Sequence, residues 1–253
     1  MPALLPSTPP KRRIGKIIGL SLFSILGTVL LLFLLLFFKN IWILRYGDTT
    51  TQQKLVDQFS SNFTSDPRLA ELRAATTFDG DITKYIRPTN PQTGDLKSPV
   101  TIVAFIDFQC PFTQQAYPTL EEIRKKYAPV ARLVIKHFPL ETIHPQAKKA
   151  AIASACVHKQ GKFWNYYQSL FQNRDLDETT LQAYAVSTGI REENFLNCYA
   201  QEAPIKEIEQ DMQDGIDLGV RGTPTYFINN IKVEGAISAQ TWDELILKAI
   251  NSK

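Results

Sequence analysis

Cysteine is scarce in this chain, with three residues in 253, at positions 110, 156 and 198. A dense disulfide framework is therefore excluded. Histidine is equally scarce: His137, His144 and His158 have no spacing among themselves or with carboxylates that fits a metal site, so neither a metal nor any other cofactor is expected. Acidic residues are absent before Gly47, where Lys11, Arg12, Arg13, Lys16, Lys39 and Arg45 all lie. Removing those six from the 28 Lys and Arg leaves 22 against 25 Asp and Glu, a net charge of −3 for the remainder. A mildly acidic body offers no footprint for nucleic acid. No internal repeat is present.

What the chain does have is one long apolar run. Ile17 to Phe38 carries no charge, and about 20 such residues cross a bilayer as a helix. A buried core helix would show a polar face, and this run has none. A cleaved signal peptide is the stronger rival, but its apolar core is typically about 7–15 residues and ends in small residues. This run ends Phe37-Phe38-Lys39-Asn40-Ile41-Trp42. The expectation is an uncleaved anchor over residues 17–38. The basic tail 1–16 should stay in the cytoplasm, with Trp42 and Tyr46 at the outer interface. The rest would then face an oxidising, extracytoplasmic space, periplasmic or extracellular.

Residues 39–97 read as a stalk with short helices around 51–59 and 67–75 and a turn-rich stretch, Arg87-Pro88-Thr89-Asn90-Pro91. Asn62-Phe63-Thr64 matches a glycosylation acceptor, a pattern that often arises by chance. The folded domain is expected over 98–253. Val100-Thr101-Ile102-Val103-Ala104-Phe105-Ile106 is β-rich and apolar throughout, as in a strand covered on both faces. A helix over 113–127 with Pro118 inside it, a strand over 131–138 and helices near 144–160, 162–172, 178–188, 192–199 and 205–218 follow. A hairpin turning at Asn229-Asn230 and a helix over 239–250 complete an α/β order with a helical insertion at about 140–218.

Between the first strand and the first helix stands Asp107-Phe108-Gln109-Cys110-Pro111-Phe112-Thr113. A thiol at a helix N-terminus meets unpaired N–H groups, a position that favours the anionic, nucleophilic form. Pro111 fits the first helical turn, where its missing N–H costs nothing. An inert buried cysteine is the plain alternative. Gly161-Lys162-Phe163-Trp164 with Leu170-Phe171, and the loop Gly219-Val220-Arg221-Gly222-Thr223-Pro224-Thr225, occur in the same order as in a known family. From about Ser98 to Ser252 the chain resembles the DsbA-like branch of the thioredoxin superfamily. The resemblance implies a thioredoxin-like fold with a helical insertion and a catalytic Cys110. Pro111, Phe112, Thr113, Thr223 and Pro224 would surround it. It also implies a cis-proline at 224 that exposes a strand edge for an extended substrate.

The departures from that family are informative. Its members carry a second active-site thiol where this chain has Thr113, and tend to carry an acid six residues before the nucleophile, where this chain has Ala104. That acid is taken to serve the second thiol, so the two losses agree. One thiol can form a mixed disulfide but cannot close it internally, which excludes net dithiol oxidation. Isomerisation, reduction with a small thiol, and thiol protection stay open, as does a peptide-holding or chaperone module without turnover. Thr113 could donate a hydrogen bond to a Cys110 thiolate. Cys156 and Cys198 fit a structural disulfide of the kind found in relatives, with two buried free thiols as the alternative. The expected partners are extracytoplasmic cysteine-containing proteins or small thiols, and the membrane through one helix. The aromatics Phe163, Trp164, Tyr166, Tyr167 and Phe171 have helical spacing and read as packing.

Overall fold

The computed structural model describes residues 27–28, 30–35, 39, 71–72 and 74–252. The chain divides into two units, Met1–Thr64 and Ser65–Lys253. In the first, the described residues are helical, and Leu30 to Leu35 are exposed. Among the described residues no helix is long and apolar enough to cross a membrane. Most of the expected anchor, the short helix over 51–59 and the Asn62 triplet lie outside the described residues.

The second unit holds a six-stranded sheet in the order β1-β6-β5-β3-β4-β2. Its strands are β1 (Thr76–Thr77), β2 (Gln92–Thr93), β3 (Val100–Ile106), β4 (Ala131–His137), β5 (Thr225–Ile228) and β6 (Ile231–Glu234). β3 runs parallel to β4 and antiparallel to β5, and β1 and β2 add antiparallel edges. All seven residues of β3 are buried. Alternation sends Ile102, Ala104 and Ile106 into the larger core and Val103 and Phe105 into the smaller one on the other face. That two-sided burial is why the strand reads as continuously apolar.

The helices that follow in this unit are α1 (Pro111–Lys126), α2 (Ala147–His158), α3 (Phe163–Asn173), α4 (Glu178–Ser187), α5 (Glu192–Ala200), α6 (Ile205–Asp217) and α7 (Ala239–Asn251). α2 to α6 form the insertion between β4 and β5. Cys156 of α2 and Cys198 of α5 are joined at 2.02 Å. Gly215 lets α6 lie close on the sheet, since a Cβ there would come within 2.5 Å of the Phe138 ring. Asn229 takes φ 51° in the hairpin turn, as an Asn there can.

The sequence reading places 39–97 in a stalk; of these residues, Thr76–Thr77 and Gln92–Thr93 are strands of the sheet. β1 and β2 pair there with β6 and β4, and Ile82 is 2% exposed in the smaller core. Strands of two residues carry no period to read, so only their partners define them. The same stretch joins a buried ion network. Lys136 of β4, fully buried, reaches Asp211 at 2.7 Å and Asp214 at 2.5 Å from α6, and donates to the Tyr85 carbonyl at 2.8 Å. Arg87 pairs with Asp214, Nη2 to Oδ1 at 2.8 Å, and Asn90 donates to Asp211 at 2.9 Å. Burial works against ionisation of both aspartates, but His137 and Lys136 at Asp211, and Arg87 and Lys136 at Asp214, outweigh it and hold each carboxyl below its ordinary range.

Candidate functional site

Cys110 is the N-cap of α1, with its backbone extended at φ −65° and ψ 122°. Its carbonyl accepts the first helical bond from Gln114 at 3.0 Å, and Pro111 occupies the first turn. The turn before it is fixed by Asp107, which is 2% exposed. This carboxylate accepts from Gln109 N at 2.8 Å, Leu140 N at 2.9 Å and His144 Nδ1 at 2.7 Å. Gln109 adds a second tie, accepting from Gln146 N at 2.7 Å. The loop before α2 therefore braces the loop that presents the thiol.

Phe108 turns inward against Tyr167 at 6.1 Å and Phe171 at 5.4 Å, and Tyr117 of α1 stacks on Phe171 at 4.7 Å. The aromatic residues of α3 serve as packing, as their spacing predicts. They seat the nucleophile's turn on the insertion.

The second wall comes from the far end of the chain. The Thr223–Pro224 peptide bond is cis. Cys110 Sγ donates to the Thr223 carbonyl at 3.1 Å, across a separation that only the fold closes. Cys110 is 3% exposed, and Thr113 and Thr223 are buried beside it. Neither threonine hydroxyl has a hydrogen-bond partner. Ala104, on β3, faces Ile135 and Tyr226 in the sheet. Burial first, and then the charge Cys110 can carry, hold the Tyr226 phenol above its ordinary range. Beside the thiol lies a shallow groove of about 280 Å³. Phe112, Arg221, Gly222, Thr223, Pro224 and Glu234 line it, and Phe112 is 61% exposed.

This arrangement matches a known family along most of the domain. The Thioredoxin family model matches residues 87–248. The chain belongs to the thioredoxin family. Its fold is also that of solved relatives. A thioredoxin-like oxidoreductase from Silicibacter pomeroyi aligns with a TM-score of 0.62 at 22% identity, covering 69% of this chain and 99% of that one. The thiol-disulfide exchange protein alpha-DsbA2 from Wolbachia pipientis aligns with a TM-score of 0.59 at 19% identity, covering 66% and 92%. Among curated sequences, the Na(+)/H(+) antiporter NhaA 1 of Mycolicibacterium vanbaalenii is 32% identical over 160 residues. That match takes in 60% of this chain but 26% of the antiporter, so the chain spans about a quarter of the relative's length.

The structure thus brings Cys110, Pro111, Phe112, Thr113, Thr223 and Pro224 to one place. Cys156 and Cys198 stand apart as a disulfide, which leaves Cys110 the free cysteine. Sequence reasoning missed the Asp107–His144 brace and the Arg221–Glu234 pair at the groove, 3.2 Å apart. Asp107 lies within the motif itself, but its partner is 37 residues away and no local pattern links the two.

Proposed function

We propose that this protein exchanges thiols through Cys110 alone, held by an N-terminal anchor at the outer face of a membrane. One observation carries the reading. The free thiol sits at a helix N-terminus against the carbonyl before a cis-proline, and Thr113 occupies the place of a resolving thiol. A Cys110 thiolate attacks a substrate disulfide, forms a mixed disulfide and expels the substrate's other sulfur as a thiolate. An external thiol then attacks the substrate sulfur and releases Cys110. Strand pairing begins at Thr225, which leaves Gly222 and Thr223 outside the ladder for an extended substrate to pair with. The uncharged run 17–38 supports the anchor. That relatives bearing a matching segment are antiporters supports a place of action beside a membrane. Antiport itself is no part of the proposal.

The burial of Cys110, 3% exposed, favours a second reading, a module that holds peptides without turnover. Trapping separates the two. Acid quench and alkylation of the full-length protein in its own membrane should recover mixed disulfides that vanish in Cys110→Ala. Equal yields from both proteins, or none from either, would leave the holding module standing.

A further inference from the structure

The groove beside the thiol has an apolar side, Phe112 and Pro224, and a charged rim, Arg221 and Glu234. The charges of that rim do not balance. Glu234 Oε1 meets Lys232 Nζ at 3.0 Å, and Oε2 meets Arg221 Nη2 at 3.2 Å. Burial opposes ionisation of Glu234, but Lys232 and then Arg221 outweigh it and hold the carboxyl below its ordinary range. Two cations therefore share one carboxylate, and one positive charge is left over at the edge of the groove.

The two cations are held to different degrees. The Lys232 side chain is 16% exposed and also donates to the Gly219 carbonyl, so it is fixed on the sheet. The Arg221 side chain is 82% exposed, and among the described residues its guanidinium makes one hydrogen bond, from Nη2 to Glu234. A guanidinium carries five N–H donors, so most of this one faces water. An exposed pair of this kind adds little stability, and giving it up costs correspondingly little. Arg221 also stands near the reacting atom. Cys110 Sγ touches the Thr223 carbonyl at 3.1 Å, and Arg221 precedes Thr223 by two residues, about 7 Å of extended chain. A chain joined to Cys110 through its own cysteine and paired along Gly222 and Thr223 passes this cation within a few residues of that cysteine.

We infer that Arg221 selects the substrates of Cys110, favouring polypeptide segments that carry an Asp or Glu within a few residues of their cysteine. The inference rests on the single-thiol reading above and names the class of chain that the thiol meets. An incoming carboxylate takes the guanidinium fork in two parallel hydrogen bonds. Glu234 keeps Lys232 as its partner, so the change leaves no bare charge behind. A lysine brought to the same place would face Arg221 as a like charge.

Peptides of one sequence with a single cysteine, capped as the mixed disulfide with 2-mercaptoethanol, would carry Glu, Gln or Lys two residues before or after it. The Cys110 thiolate attacks the peptide sulfur, the Cys110–peptide bond forms, and 2-mercaptoethanol leaves as its thiolate. Intact mass of the full-length protein under acid quench gives each loading rate. Division by the same peptide's rate with dithiothreitol removes its intrinsic reactivity. In at least one placement Glu should load about fivefold faster than Lys at low salt, with Gln between them. The gap should close at about 0.5 M salt. Arg221→Gln should flatten the preference, Arg221→Glu should invert it, and Glu234→Gln, which releases the guanidinium, should hold or widen it. The side chain stands in solvent, so melting temperature should not move in the Arg221 variants. Equal loading, a Lys preference, or a Glu preference that survives Arg221→Glu would overturn the inference and leave the single-thiol reading intact. Failure of every peptide to load would sink that reading first.

Discussion

Lys136 and Cys110 both lie near the C-terminal ends of the central parallel strands, and both are buried. Their surroundings are built differently. Lys136 meets two carboxylates and a carbonyl, and those carboxylates are shared with Arg87 and Asn90. Around Cys110 one carbonyl accepts the thiol proton, and two hydroxyls have nothing to bond. A network completed in the resting fold holds that fold together. A set left incomplete at rest does not, and functional sites are where such incompleteness is expected.

The largest effect should come from opening the complete network. Lys136→Met would leave two buried aspartates short of a cation, and breaking a buried ion cluster in this way costs about 3–5 kcal/mol. Chemical denaturation should show that loss. The network also fixes an acid limit. Both aspartates titrate below their ordinary range in the folded chain, so their contribution is complete above about pH 4 and is lost as pH falls below it. A melting temperature flat from neutral pH to about 5 and falling steeply below about 4 is expected. A decline already under way near pH 6 would assign the limit to other groups.

Next in size is the Cys156–Cys198 disulfide, which closes a separation of 42 residues. On chain-entropy grounds it contributes up to about 4 kcal/mol, and a Cys156→Ser/Cys198→Ser double variant should lose most of that. Exchange at Cys110 should persist in this variant below its lowered melting temperature. Loss of exchange in folded protein would give the pair a chemical role and blur the contrast between framework and site.

A smaller effect belongs to Glu71, whose carboxylate accepts from Ser238 N at 3.0 Å and from the Ser238 hydroxyl at 3.0 Å, at the start of α7. Ser238 remains the N-cap of α7, and losing the hydrogen bonds that Glu71 accepts costs about 1 kcal/mol, so Glu71→Ala should lower stability by that order with no change in thiol exchange.

The contrast also marks what the sequence could show. β3, β4 and the helices of the insertion announce themselves through apolar runs and helical spacing, because burial of whole faces imposes a period. Cys110-Pro111 and Thr223-Pro224 are local features whose chemistry follows from residue type and position. β1 and β2 are too short to carry a period. The ion network joins Arg87, Lys136, Asp211 and Asp214 across long separations, and only the packed sheet brings them together. Even so, Lys136 within an apolar strand was a hint, since a buried cation requires a carboxylate. Asp211 and Asp214, three apart on a helix, share the face that supplies one.

The central claim is that one sulfur exchanges without an internal partner, and intact mass spectrometry tests it most directly. The folded protein would be mixed with a small disulfide, sampled over time under acid quench, and then given excess external thiol. The account predicts one adduct on Cys110 that persists until the thiol arrives and then disappears as free Cys110 returns. An adduct that collapses unaided into a disulfide from Cys110 to Cys156 or Cys198 would contradict it.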